Sequence, residues 1–158
     1  MKINILVLIT ALFFLSCEQP KEIFYHSKGK VEYPITRTDE MMLDSIQRVT
    51  FGYFLNEHHP EWGIVKDRAD AWAPSSIAST GFAIPCFAIG VERNWIPRDE
   101  AAKIILNMLN FFMNAEQSND SLAVGYKGFY YHFLRMDTGL REWSCELSTI
   151  DTGLLMMG

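Results

Sequence analysis

Apolar residues in this chain recur at helical spacing in three successive blocks, after which the period changes. Met42, Ile46, Val49 and Tyr53 follow at intervals of four, three and four, with Asp39 and Glu40 where a helix dipole favours acids. Thr38 is the expected N-cap, and the helix should end near Asn56, ahead of His58-His59-Pro60. A second block opens at Ser75-Ser76 and carries Ile77, Gly81, Ile84, Ala88 and Val91 along one face, with a kink expected at Pro85. Pro97 suits the first turn of a third, whose stripe is Ala101, Ile104, Ile105, Met108, Leu109 and Phe112. Beyond a polar break the aromatic run 128–136 reads as extended, Asp137-Thr138-Gly139 as a turn and 140–144 as the returning strand. Ser148 or Thr149 then caps a last helix through Leu154, Leu155, Met156 and Met157. The pattern predicts an all-α chain with a small β-hairpin.

A leader has to be set aside before the fold is considered. Lys2, an apolar run from Ile3 to Leu15, and Ser16-Cys17 read as a signal peptide over residues 1–17. A small residue directly before the cysteine resembles a bacterial lipobox, which makes Cys17 the lipidated residue. The apolar run is shorter than the ~20 residues of a membrane span. The expectation is an exported protein, lipid-anchored to a bacterial membrane and facing the periplasm or cell surface, with residues 18–37 as a tether and 38–158 as the domain. Cys86 and Cys145 then remain, with no CxxC or Cys/His spacing, so a zinc site is not indicated; an oxidising compartment permits a disulfide between them, and two separate thiols are the expectation. The net charge of −5, with no basic stripe, argues against nucleic acid and suits a neutral, sugar-like partner.

The densest polar constellation is 143–152, where Glu146 and Asp151 stand among hydroxyl residues at the junction of the hairpin and the last helix. Both are candidate catalytic carboxylates. Trp143 and Leu147 could supply apolar surroundings that raise the pKa of Glu146, as a general acid requires. Asp151 also fits a first-turn carboxylate favoured by the helix dipole. The 60–74 loop is long for a connector, and within it Asp67-Arg68 offers an acceptor and a forked donor for sugar hydroxyls, or an ion pair that pins the loop. Trp62, Trp72, Tyr131 and Trp143 could stack on pyranose faces. His132 reads as a packed histidine and Glu92-Arg93 as helix-end structure. No metal ligand set, cofactor motif or internal repeat stands out.

Five ordered segments carry a resemblance: Gly63-Ile64-Val65-Lys66-Asp67-Arg68; Ser76-Ile77-Ala78-Ser79-Thr80-Gly81-Phe82; Ile89-Gly90-Val91-Glu92-Arg93-Asn94-Trp95; Gly128-Phe129-Tyr130-Tyr131-His132-Phe133-Leu134; and Glu146-Leu147-Ser148-Thr149-Ile150-Asp151-Thr152. Together they resemble the glycoamylase-like domain that includes the endo-β-1,2-glucanases of glycoside hydrolase family 144. The resemblance implies an (α/α)6 toroid, an inverting hydrolase of β-glucan, above all β-1,2-glucan, and no metal or other cofactor. A dozen helices need well over ~250 residues, so the chain is expected to be the N-terminal part of such a toroid, with a catalytic partner elsewhere. The alternatives are a surface lipoprotein that binds glycan without cutting it, and an inactive truncated fragment.

Overall fold

A computed structural model describes residues 36–158. Among these residues, four helices and five short strands follow in the order α1 (Arg37–Asn56), β1 (Ser75–Ser76), α2 (Ile77–Glu92), α3 (Arg98–Asn114), β2 (Gly125–Tyr126), β3 (Phe129–Tyr131), β4 (Phe133–Leu134), β5 (Leu147–Ser148) and α4 (Thr149–Met157). The leader and Cys17 lie outside the described residues, and no helix within them is long and apolar enough to cross a membrane.

The cap of α1 is Thr36 rather than Thr38. Thr36 has an acid three residues on, so its hydroxyl accepts from the Asp39 amide while the Asp39 carboxylate accepts from the Thr36 amide; Thr38 has Met41 at that place. The stripe read from the periodicity is also not the buried face. Met42, Ile46 and Val49 are exposed, Tyr53 is half-buried, and Phe51 and Phe54 enter the core. The hollow left by Gly90 on α2 decides this: a Cβ there would stand 2.3 Å from the Phe51 ring, which also meets Phe87 and Trp95. α3 follows its predicted stripe through Ala101, Ile104, Met108 and Phe112, although Leu109 is exposed. α2 buries Ile77 and Gly81 as expected, adds Thr80, Ala83 and Phe87, and leaves Ala88 exposed.

The strands do not form the single predicted hairpin. β2 and β3 are joined by Lys127-Gly128, both at positive φ (51° and 86°), the geometry of a two-residue primed turn. The sheet order is β2-β3-β5, while β4 pairs separately with β1 (Ser75↔Leu134, Ser76↔Phe133). At the Asp137–Gly139 turn the expected return strand reduces to one bridge, Leu134↔Arg141. The segment 129–134 therefore lies between the two short strands that feed α2 and α4.

Those two strand-to-helix junctions are built alike, and a short repeat missed in the sequence underlies them: Ser76-Ile77-Ala78-Ser79-Thr80-Gly81 and Ser148-Thr149-Ile150-Asp151-Thr152-Gly153. Each serine caps its helix. Each threonine hydroxyl donates to the capping residue's carbonyl, at 3.1 Å in Thr80 and 2.6 Å in Thr152. Each also accepts a backbone N–H from the neighbouring segment, Val65 for Thr80 and Tyr130 for Thr152, both at 3.0 Å. α2 and α4 then pack closely because Gly81 has no side chain; a Cβ there would meet the Leu154 carbonyl at 2.5 Å. Ile64, Ile77, Phe112, Val124, Tyr130, Leu134 and Leu155 form the core beneath both junctions.

Candidate active site

His132 occupies the seam between the junctions. Its backbone N–H donates to the Glu146 carbonyl at 3.0 Å, and its own carbonyl accepts from the Ile77 N–H, the first residue of α2, at 3.2 Å. The imidazole stacks on Phe133, with centroids 3.8 Å apart and planes 13° from parallel. Nδ1 stands 2.8 Å from Glu146 Oε1 and 3.6 Å from Asp151 Oδ2. The structure thus brings the two candidate carboxylates together around a histidine that the sequence reading placed in the packing. The repeat was the available signal: Asp67 and His132 hold matching positions, each donating its amide to the residue two before a capping serine, Pro74 or Glu146.

The two acids differ in setting. Asp151 is largely buried and belongs to the α4 cap: Ser148 Oγ accepts from the Asp151 amide at 3.1 Å and donates to its carboxylate at 2.6 Å. Glu146 leaves 65 % of its side chain exposed. Its pKa lies below the ordinary value, held down first by its own backbone N–H, next by the hydrogen bond to His132, and further by the charges of His132 and Arg141. The apolar environment expected to raise it is absent, because Trp143 is itself 64 % exposed and turned away against the edge of Phe133. Glu146 is an ionised acceptor, which corrects the expectation of a proton-holding acid.

Oxygens of Glu146 and Asp151 and the His132 nitrogen all lie within 4.8 Å of one another, a spacing at which a divalent cation could be held. Hydrogen bonds already account for it: Nδ1 is hydrogen-bonded to Oε1, and Asp151 accepts from Ser148. The same limit bears on catalysis, since paired carboxyls sit ~5–5.5 Å apart in retaining glycosidases and ~6.5–9.5 Å in inverting ones. The facing oxygens of Glu146 and Asp151 stand closer together than the carboxyls of an inverting pair.

The other candidates divide. Tyr131 lies under the Arg141 guanidinium at 3.9 Å, and Arg141 in turn donates to the Cys145 carbonyl. Trp143 adopts φ 52°, a conformation that costs a non-glycine residue ~1–2 kcal/mol and recurs at functional sites. Trp72 is 93 % exposed beside a groove of about 400 Å³ lined also by Pro74, Arg135, Asp137 and Glu142. Trp62 is not a free platform: it stacks on His59 at 4.2 Å and packs against Phe111 in the core. Asp67 and Arg68 pair with each other at 3.5 Å. Cys145 is buried, bonded through sulfur to both backbone groups of Phe133, and neither it nor Cys86 is in a disulfide.

The capped N-termini of α2 and α4 meet at His132, with two carboxylates and exposed aromatics beside it, in a fold shared with solved glucanases. The exo β-1,2-glucooligosaccharide sophorohydrolase (non-reducing end) of Parabacteroides distasonis is 29 % identical over 111 residues, which is 68 % of this chain and 14 % of the relative. The solved β-1,2-glucanase from Parabacteroides distasonis superposes with TM-score 0.61 at 24 % identity, covering 78 % of this chain and 17 % of that one. An endo-β-1,2-glucanase from Chitinophaga pinensis, solved with sophorotriose and glucose, gives 0.60 at 18 % identity, covering 74 % and 29 %. No family model matches the chain. The likeness to β-1,2-glucanases inferred from the five segments therefore holds in sequence and in fold, and the chain spans less than a third of the length of these relatives.

Proposed function

We propose that this chain contributes part of the cleft of a glycoside hydrolase acting on β-glucan, with β-1,2-glucan as the preferred polymer, and that its helices form one portion of an (α/α)6 toroid. The observation that carries the reading is the gathering of Glu146 and Asp151 around His132 at the start of α4, within a fold shared with β-1,2-glucanases. An inverting mechanism requires one carboxyl of the pair to lie outside this cluster. Glu146, ionised and exposed, suits the partner that accepts a proton or a sugar hydroxyl, and Asp151 supports it from the cap. Export and anchoring through Cys17 belong to the same proposal.

The test is release of reducing ends from linear β-1,2-glucan, with β-1,3- and β-1,4-glucans as controls, by the full chain and its Glu146→Gln variant. Release from the β-1,2 polymer alone, lowered ~10²–10⁴-fold by the substitution, is the expected result. Normal hydrolysis by Glu146→Gln would remove Glu146 from the chemistry. The exposed Trp72 and Trp143 equally suit a second reading, a cleft that binds glucan without cutting it. Its signature is a saturable isotherm with no reducing ends formed.

A further inference from the structure

We propose that His132 is a positioning residue for Glu146: its Nδ1–H fixes the carboxylate on the face that the two capped helices present to substrate. This rests on the hydrolase reading only for its catalytic consequence; the positioning itself is a statement about the cluster. Three observations converge on it. The imidazole stacks on Phe133, and the backbone that carries it is held on both sides, its N–H donating to the Glu146 carbonyl and its carbonyl accepting from the Ile77 N–H. Its Nδ1 lies at full hydrogen-bond distance, 2.8 Å, from an otherwise exposed carboxylate that has no other side-chain partner among the described hydrogen bonds. An ionised carboxylate only accepts, so the proton resides on Nδ1 and the direction of the bond is set.

A flexible, exposed glutamate samples several rotamers, and a single charge-assisted hydrogen bond from a rigid ring selects one of them. Asp151, whose Oδ2 stands 3.6 Å from the same nitrogen, approaches it beside Glu146 and is itself held by Ser148. Its Nδ1 therefore faces both a fixed carboxylate and the one it aims. The titratable and charged groups facing Glu146 are His132 from the strand segment, Arg141 from the preceding turn and, at the same His132 nitrogen, Asp151 from α4.

Two substitutions in the full chain separate aim from bulk. His132→Phe keeps a ring to stack on Phe133 and loses the donor; His132→Asn loses the ring but returns an N–H close to the position of Nδ1. The first readout is the titration of the Glu146 carboxyl by ¹³C NMR, which needs no substrate. The expected result is a midpoint that rises toward the ordinary glutamate value in His132→Phe and stays low in His132→Asn. The second is hydrolysis of β-1,2-glucan: kcat should fall ~10²-fold in His132→Phe with KM little changed, as misplacement of a reacting group predicts, and recover in His132→Asn. An unmoved Glu146 titration in a folded His132→Phe protein, judged by its thermal midpoint, overturns the proposal, and so does a His132→Asn variant indistinguishable from His132→Phe in that titration. If the parent cuts no glucan while the titration behaves as expected, the hydrolase reading fails and the positioning stands.

Discussion

Thr152→Val tests whether the repeated strand-to-helix junction holds the site together. Thr152 is 5 % exposed, and valine reproduces its shape without the hydroxyl. The change removes the acceptor of the buried Tyr130 N–H and the hydroxyl's bond to the Ser148 carbonyl. An orphaned buried N–H costs ~1–3 kcal/mol and the lost bond ~0.5–1.5 kcal/mol, so the expected loss is ~2–4 kcal/mol. For a domain of this size that lowers the thermal midpoint by roughly 10 °C. Thr80→Val should cost nearly the same, because its hydroxyl serves Val65 and Ser76 in the same way. The assay is urea and thermal unfolding of the full chain followed by circular dichroism, with Thr152→Ser and Thr80→Ser as controls that keep the oxygen and should recover most of the loss. Valine variants within ~0.5 kcal/mol of the parent, inside the range of ordinary surface substitutions, would refute the reasoning.

His59 gives a pH dependence of stability. Its Nδ1 accepts the N–H groups of Glu61 and Trp62, both at 3.2 Å, and burial holds its pKa below the usual value. The unfolded chain then binds the proton more readily, so the contribution is complete above pH ~6.5 and is lost as the pH falls below it. The urea midpoint should drop between pH 7.5 and 5.5, and His59→Asn, whose side-chain oxygen accepts at either pH, should flatten that drop; an unchanged slope counts against the assignment. Cys17→Ser should abolish incorporation of labelled palmitate and move the protein from the membrane pellet to the soluble fraction, whereas an unaltered distribution would rule out Cys17 as the anchor.

The helices were legible because three of their four apolar patterns extend over several turns. Ala101, Ile104, Met108 and Phe112 fulfil such a pattern directly. α1 shows its limit: periodicity finds an amphipathic segment, but which of two apolar faces is buried depends on a hollow elsewhere, here Gly90 receiving Phe51. The strands were harder for a related reason. β1 and β5 are two residues long and consist of Ser75-Ser76 and Leu147-Ser148, too short to show a period of two. Only their pairing with 129–134 makes them strands, and that pairing joins segments far apart in sequence.

The same long-range pairing explains why the carboxylates could be named from the sequence but their roles could not. Glu146 and Asp151 stood out by composition, yet whether a carboxyl is a proton donor or an ionised acceptor depends on what faces it, and the sequence offered Trp143 as that neighbour. The chain instead turns Trp143 outward at positive φ and carries His132 in by way of β3. His132 reaches Glu146 because Tyr130 and Tyr131 pair with Ser148 and Leu147, a register one residue from reversing the ring to the opposite side of the strand. The Thr152 hydroxyl that receives the Tyr130 N–H pins that register. A buried threonine that bears no charge thus determines which group the exposed glutamate meets, and the cost of removing it should appear in Glu146 before it appears as unfolding.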